Sequence, residues 1–245
     1  YFAIRHSNEP RPVHSPTQNL FDMKRFILLA LAFVATALAV QADRALPRKD
    51  YVTRVESCEA IIREFQYDPA TRIPAEVLRA AKTIVITNQF IFGVQDGYGV
   101  VISKRADGSW GLPAFVNAGE ASFGLQLGAN AIETVLIITD ESVQPMLYNN
   151  KFNIGVDAKA VAGPSVAEAE KATKILKEAP ILVYTKKKGL FAGATVKAGW
   201  LSANNRGNRA FYNTRYSMPE ILLGDWVKPQ PEVEPLRNYI AEITR

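Results

Sequence analysis

Val100-Val101-Ile102-Ser103-Lys104-Arg105-Ala106-Asp107-Gly108-Ser109-Trp110-Gly111-Leu112-Pro113-Ala114-Phe115-Val116 is the stretch that decides the fold. A β-branched apolar run, Val100 to Ser103, leads into Asp107-Gly108, and a second run, Trp110 to Val116, returns. Asp-Gly supplies the positive φ that a tight turn needs, so the stretch predicts an antiparallel hairpin.

Working outward, the same period of two continues on both sides. Thr83 to Thr87 is β-branched throughout, and Ala121 to Ala129 alternates Phe123, Leu125 and Leu127 with smaller or polar residues. Thr134 to Thr139 is a continuous apolar run of the kind expected for a strand buried on both faces. Phe152, Ile154, Val156, Ala158 and Ala160 alternate again, and Ile181 to Thr185 and Thr195 to Ser202 bring the set to about eight strands. Glycines sit within or beside these strands at Gly93, Gly97, Gly99, Gly124, Gly128, Gly155, Gly193 and Gly199. Each would weaken a flat strand, so tight curvature or close approach of neighbouring backbone is expected. A faint internal echo pairs Phe92-Gly93, Gly99 and a turn at Gly108 with Ala192-Gly193, Gly199 and a turn at Gly207.

Helical spacing appears at both ends of this β-rich region. Val55, Cys58, Ile61, Ile62 and Phe65 recur at steps of three and four between charged residues, which predicts an amphipathic helix from Arg54 to Phe65 with Cys58 on its apolar face. A second short helix is expected to open at Pro74 and run through Ala81. Ser165-Val166-Ala167-Glu168 and Ser217-Met218-Pro219-Glu220 both have capping-box spacing, the first ahead of a helix to Ala179 and the second ahead of Ile221-Leu222-Leu223 with a stop at Gly224. Pro229, Pro231 and Pro235 then lead to a last helix near Leu236 to Thr244. The fold class expected is α+β: a mostly antiparallel, strongly curved or barrel-like β-sheet with N-terminal amphipathic helices and short helices near the C-terminus.

Met23 to Ala42 reads as a signal peptide. Lys24 and Arg25 are followed by the uncharged, mostly apolar run Phe26 to Val40, and Val40-Gln41-Ala42 suits cleavage before Asp43. The run is shorter than the roughly 18–20 apolar residues a transmembrane helix needs. Residues 1–22 are polar and proline-bearing, precede a plausible start at Met23 and are read as lying outside the fold, which leaves residues 43–245 as one domain. The whole chain has a formal net charge of +5. Residues 1–42 hold four basic residues (Arg5, Arg11, Lys24, Arg25) and two acidic ones (Glu9, Asp22), so the remaining 203 residues carry 25 basic against 22 acidic. That small excess gives no polyanion signature, and any electrostatic argument must rest on local clusters.

Function classes fall away in turn. The two histidines, His6 and His14, lie in the excluded stretch and Cys58 is the only thiol, which rules out Ser-His-Asp and Cys-His catalysis and histidine metal sites in the expected mature domain. Gly93 to Gly99 leads into a strand rather than a helix, and no Lys-Ser or Lys-Thr follows Gly193, so no nucleotide site is expected. Asp140-Glu141 reads as a solvated turn or first helical turn, and Asp96 and Asp157 lack the spacing of a ligand cluster. Trp110, Trp200, Phe211 and Tyr212 interleave with Arg206 and Arg209, but packing is the expected use of these aromatics and no nucleic-acid partner is expected. No cofactor, metal or enzymatic activity is expected.

The remaining cluster is Lys186-Lys187-Lys188-Gly189-Leu190-Phe191-Ala192-Gly193, where a triple positive charge adjoins a glycine-spaced apolar patch. Three lysines between strands are commonly a solvated turn, and an apolar residue beside glycine on a strand is commonly core. The combination also suits an anionic, partly apolar surface.

Six segments in this order resemble the SYLF domain family: Ile73-Pro74 through Ala81-Lys82, Gly97-Tyr98-Gly99-Val100-Val101, Asp107-Gly108-Ser109-Trp110-Gly111-Leu112-Pro113-Ala114, Phe123-Gly124-Leu125-Gln126-Leu127-Gly128-Ala129, Ala162-Gly163-Pro164 and Lys188-Gly189-Leu190-Phe191-Ala192-Gly193. The resemblance covers roughly residues 52–224. It implies a non-catalytic lipid-binding domain: eukaryotic members are associated with phosphoinositides, aided by an N-terminal amphipathic segment, fungal members with actin filaments, and bacterial members are often exported envelope proteins. This chain looks like the last group. The expected partner is an anionic phospholipid or envelope membrane surface, met by the charges of Lys186, Lys187 and Lys188 while Leu190 and Phe191, or the helix from Arg54 to Phe65, supply apolar contact, with Arg54 and Arg63 also among the expected lipid-binding residues. The competing expectation is a protein-binding or structural envelope module, including actin binding as in the fungal members.

Overall fold

A computed structural model describes residues 46–90, 97–120, 131–148, 151–187, 190–191 and 199–245. The elements in chain order are α1 (Arg48–Tyr67), α2 (Ala75–Ala80), β1 (Thr83–Phe90), β2 (Gly97–Ser103), β3 (Ala114–Glu120), β4 (Ala131–Ile138), β5 (Phe152–Asn153), β6 (Ala160–Ala162), α3 (Ala172–Glu178), β7 (Ile181–Lys187), β8 (Leu190–Phe191), β9 (Gly199–Ala203), α4 (Asn205–Tyr212), α5 (Met218–Leu223) and α6 (Glu234–Ile243). Short 3-10 helices at Glu141–Tyr148, Val166–Lys171 and Pro231–Val233 join them.

The nine strands among the described residues form one sheet in the order β5-β9-β3-β2-β1-β4-β7-β6, with β8 paired to β7, and it curls into a half-barrel. Every pairing between these strands is antiparallel except that of β6 with β7. The expected α+β fold is therefore the one observed. Its central hairpin is β2–β3, with Val101 opposite Ala114 and a bridge between Lys104 and Trp110. At the tip Gly108 has φ +82°, and the Asp107 carboxylate accepts from the Ser109 N–H at 2.8 Å, so both turn residues act as their types dictate. Gly99 shows why glycine is needed inside a curled strand: a side chain there would run into the Ile86 carbonyl and Thr87 on β1.

Residues two apart along a strand share a face. On one face Ile84 and Ile86, Val100 and Ile102, Phe115, and Val135 and Ile137 are buried to 0–1% exposure and lie beneath α1. The helix buries Tyr51, Val55, Cys58, Ile61, Ile62 and Phe65, and the Tyr51 ring meets Phe115 edge-on with centroids 5.1 Å apart. At about 1.5–3 kcal/mol for each large apolar side chain, this contact is a principal source of stability. The 3-10 helix Glu141–Tyr148 reaches the opposite face, where Gln144 donates to the Thr83 hydroxyl at 2.9 Å. Val135 to Ile138 are buried to 0–1%, as the continuous apolar run predicts for a strand covered on both sides.

Local signals hold at the helix ends. Glu220 accepts from both the N–H and the hydroxyl of Ser217 at 2.7 Å, completing the second capping box. The first also forms, between Ser165 and Glu168, but opens a 3-10 helix before α3 begins at Ala172. The internal echo fails at Gly207. That residue lies inside α4, whose N-cap Asn204 accepts from the Gly207 N–H at 2.8 Å, and its neighbours Asn208, Phe211 and Tyr212 are buried. The expected strand from Ala121 to Ala129 and the first part of that from Thr195 lie outside the described residues. Among the described residues no helix is long and apolar enough to cross a membrane.

Candidate functional site

The β7–β8 hairpin is built by register. Lys187 stands opposite Leu190 and Lys186 opposite Phe191, while on the other side of β7 Lys186 faces Glu133 and Lys187 faces Ile132. The side chains of Lys187, Leu190 and Phe191, and the whole of Lys188, lie outside the described residues. Lys186 points to the α1 face, where it forms an ion pair with Glu64; the lysine side chain is 5% exposed and the carboxylate 54%. Of the three consecutive lysines, Lys186 is thus engaged within the fold.

Lys186 closes a polar row across the sheet. Ser202, Asn117, Tyr98, Asn88, Glu133 and Lys186 stand opposite one another on β9, β3, β2, β1, β4 and β7. Asn88 donates to the Tyr98 hydroxyl at 3.4 Å, and that hydroxyl donates to Ser57 on α1 at 3.1 Å. Burial and the neighbouring Glu64 carboxylate push the Glu133 carboxyl above its ordinary range, and Lys186 partly offsets them.

The other candidate residues lie along α1 and do not join the hairpin. The Arg54 guanidinium lies 4.7 Å from the Tyr98 ring centroid, and Arg63 lies 4.0 Å from that of Tyr239 while pairing with Glu59 at 2.7 Å. The apolar face of α1 is entirely within the core, so the expectation that this helix offers an apolar face to a bilayer does not fit the folded domain. Cys58 is fully buried and burial pushes its thiol up to about 12, the character of an inert core residue. Among the described residues no group of three or more His, Cys, Asp or Glu side chains is placed to hold a metal ion. An open cleft of about 500 Å³ lies between Lys82, Asp140-Glu141 and Lys177-Glu178, with Lys82 paired to Glu141 at 2.9 Å.

Register places the ends of β1, β3 and β7 and the starts of β2, β4 and β9 together. The flanks of 91–96, 121–130 and 188–189 and the C-terminal flank of 192–198 are therefore at that end. Their composition is apolar and glycine-bearing, with Ile91, Phe92, Val94, Phe123, Leu125, Leu127 and Val196, one acid, Asp96, and two lysines, Lys188 and Lys197. Sequence periodicity reads 121–129 and 195–202 as strands but does not show which end of a sheet these segments share.

The architecture defines an α+β domain with a half-barrel sheet clasped by α1. A family model described as Ysc84, Las17-binding protein actin regulator, matches residues 119–243, and the chain belongs to this family, whose domain is the SYLF domain. LAS seventeen-binding protein 3 of Saccharomyces cerevisiae (strain YJM789) is 30% identical over 171 residues, covering 67% of this chain and 37% of that protein. SH3 domain-containing YSC84-like protein 1 is 28% identical over 194 residues in Bos taurus, covering 75% of this chain and 57% of that protein. In Homo sapiens it is 27% identical over 194 residues, covering 75% and 56%. The chain spans from about a third to somewhat over half the length of these relatives.

Proposed function

We propose that this chain is an exported, non-catalytic domain that binds anionic phospholipid at the β7–β8 end of its half-barrel. One observation carries the reading: Lys187 stands opposite Leu190 at the end of the sheet that residues 91–96, 121–130 and 192–198 adjoin in sequence, segments mostly apolar in composition with one acid and one lysine among them. Lysine and apolar groups side by side match the headgroup layer and the acyl boundary beneath it. With Lys186 paired to Glu64, Lys187 and Lys188 supply the charge, on the order of 1 kcal/mol each beside an anionic bilayer. Attachment is then reversible and depends on salt. Export rests on Met23 to Ala42, and a protein recovered from the cell envelope with Asp43 as its first residue would support it; retention of Met23 would refute cleavage.

Vesicle sedimentation tests the lipid reading. Residues 43–245 should pellet with vesicles containing phosphatidylglycerol and much less with phosphatidylcholine alone. Lys187→Ala with Lys188→Ala should weaken partitioning roughly tenfold or more. Equal recovery on the two vesicle types, or no loss in the double variant, would sink it. The family description favours a second reading, a protein-binding module of the actin-regulator type. Co-sedimentation with actin filaments and no recovery with any vesicle would support that reading instead.

A further inference from the structure

Asn88 has one hydrogen-bonding atom that the fold leaves unsatisfied. The side chain is 8% exposed, its Nδ2 donates to the Tyr98 hydroxyl on β2 at 3.4 Å, and its Oδ1 is buried with no partner. A buried acceptor without a donor is costly, because folding has removed its water and put nothing in its place. The two amide atoms diverge from one carbon, so an Nδ2 turned to β2 turns Oδ1 away from it. On the other flank, on β4, stands Glu133. Directly opposed residues of an antiparallel pair bring their Cβ atoms to about 4.5–5.5 Å, within reach of a glutamate carboxyl.

Two acceptors therefore face each other unless Glu133 carries a proton. The amide is held against turning over, since Tyr98 accepts from its Nδ2 and in turn donates to the Ser57 hydroxyl on α1 at 3.1 Å. Each donor in this chain points away from Glu133, and an O–H on Glu133 is the donor still missing. Among the described residues two charged groups reach Glu133: Lys186, opposite it on β7, and Glu64 on α1. The strands β1 and β2 present no charged side chain, and Arg54 of α1 lies over the Tyr98 ring, two strands from Glu133. Lys186 is already engaged by Glu64. Burial and Glu64 together hold the Glu133 carboxyl above its ordinary range, in keeping with a retained proton.

We infer that protonated Glu133 is a latch: its carboxyl O–H donates to Asn88 Oδ1 and completes a one-way chain of hydrogen bonds, Glu133 to Asn88 to Tyr98 to Ser57, that fastens α1 to the sheet. When Glu133 gives its proton to solvent, the chain loses its first bond and two acceptors are left facing each other. Two carboxylates, Glu133 and Glu64, then compete for Lys186 where the helix meets the sheet. The latch is closed in acid and opens as pH rises through the raised folded pKa of Glu133.

Titration of the Glu133 carboxyl carbon by NMR tests the direction of the chain. Tyr98→Phe removes the acceptor that holds Nδ2, which lets the amide turn and donate to ionised Glu133, so the midpoint should fall by about 0.5–1 pH unit. An unchanged or raised midpoint would overturn the proposal, because Asn88 would then already donate to Glu133. Should Tyr98→Phe fail to fold, Ser57→Ala decides by the same criterion: the Tyr98 hydroxyl, deprived of its acceptor, turns to Oδ1 and frees Nδ2 for Glu133. Hydrogen exchange of the α1 amides, corrected for the intrinsic effect of pH, should be severalfold faster above the Glu133 midpoint than below it. Glu133→Gln keeps a donor for Asn88 Oδ1 at every pH, so the dependence should vanish there. Its persistence would assign the effect to Glu64 and overturn the latch.

Discussion

Lys186 on β7 and Glu64 on α1 lie 122 residues apart in the chain and form an ion pair that joins the helix to the sheet. The lysine is buried and the carboxylate half-exposed, so the two ends of the pair respond differently to removal. Lys186→Met leaves a carboxylate that water can reach, and the cost is expected at about 1–2 kcal/mol, below the 3–5 kcal/mol of a fully buried pair. Glu64→Gln strands an ammonium with only Glu133 opposite it and should cost at least as much. Urea denaturation of the two single variants and the double variant checks this. Strict additivity would show that the pair does not couple α1 to the sheet.

Glu133 gives the domain a pH dependence of defined sign. Its folded pKa is raised by burial first and by Glu64 second, so the folded state holds this proton more tightly than the unfolded chain does. Its contribution is most favourable below the unfolded carboxylate pKa and is lost as pH rises through the raised folded value. Glu133→Gln should therefore raise Tm at neutral pH, with the gain disappearing once the pH is below the ordinary carboxylate range. A gain that persists or grows in acid would contradict the assignment.

Cys58 reports on the opening of α1. The thiol is wholly buried, contacts the Ile86 carbonyl at 3.7 Å and is pushed up to about 12, so at pH 8 almost none of it is thiolate. An aromatic disulfide reagent should leave the folded protein unlabelled, and labelling should rise with urea along the same curve as unfolding. Rapid labelling without denaturant would show that α1 leaves the sheet in the native state. That result would also restore the helix as a candidate membrane contact.

Where the sequence was legible, the cause was local. Asp107-Gly108 specifies its own turn, the spacing of Val55, Cys58, Ile61, Ile62 and Phe65 specifies the buried face of α1, and Ser217 with Glu220 specifies a cap. Each signal spans a few residues and needs no distant partner. The helix α4 was hidden because Asn205-Arg206-Gly207-Asn208 is a poor helix former; the Asn204 cap and burial of Phe211 and Tyr212 override that propensity. The role of Lys186 was hidden because Glu64 is brought to it only by the fold. Exposure within α5 was hidden for a related reason: Leu222 and Leu223 are identical in type and adjacent, yet one is fully buried and the other is 40% exposed.

Trp110 and Thr244 tie the central hairpin to the C-terminus. The indole N–H donates to the Thr244 hydroxyl at 2.9 Å, and that hydroxyl donates to the Ile240 carbonyl at 2.7 Å, with Trp110 5% and Thr244 7% exposed. Thr244→Val preserves shape but removes the acceptor, leaving a buried indole N–H unpaired at a cost of about 1–3 kcal/mol. Thr244→Ser keeps the hydroxyl and should recover most of that loss. Trp110→Phe removes the donor, so Thr244→Val should cost distinctly less in the Trp110→Phe background than alone. Denaturation midpoints of the four variants decide the matter. Equal cost for Thr244→Val in both backgrounds would mean that the helix end is held by packing and that the hydrogen bond contributes nothing measurable.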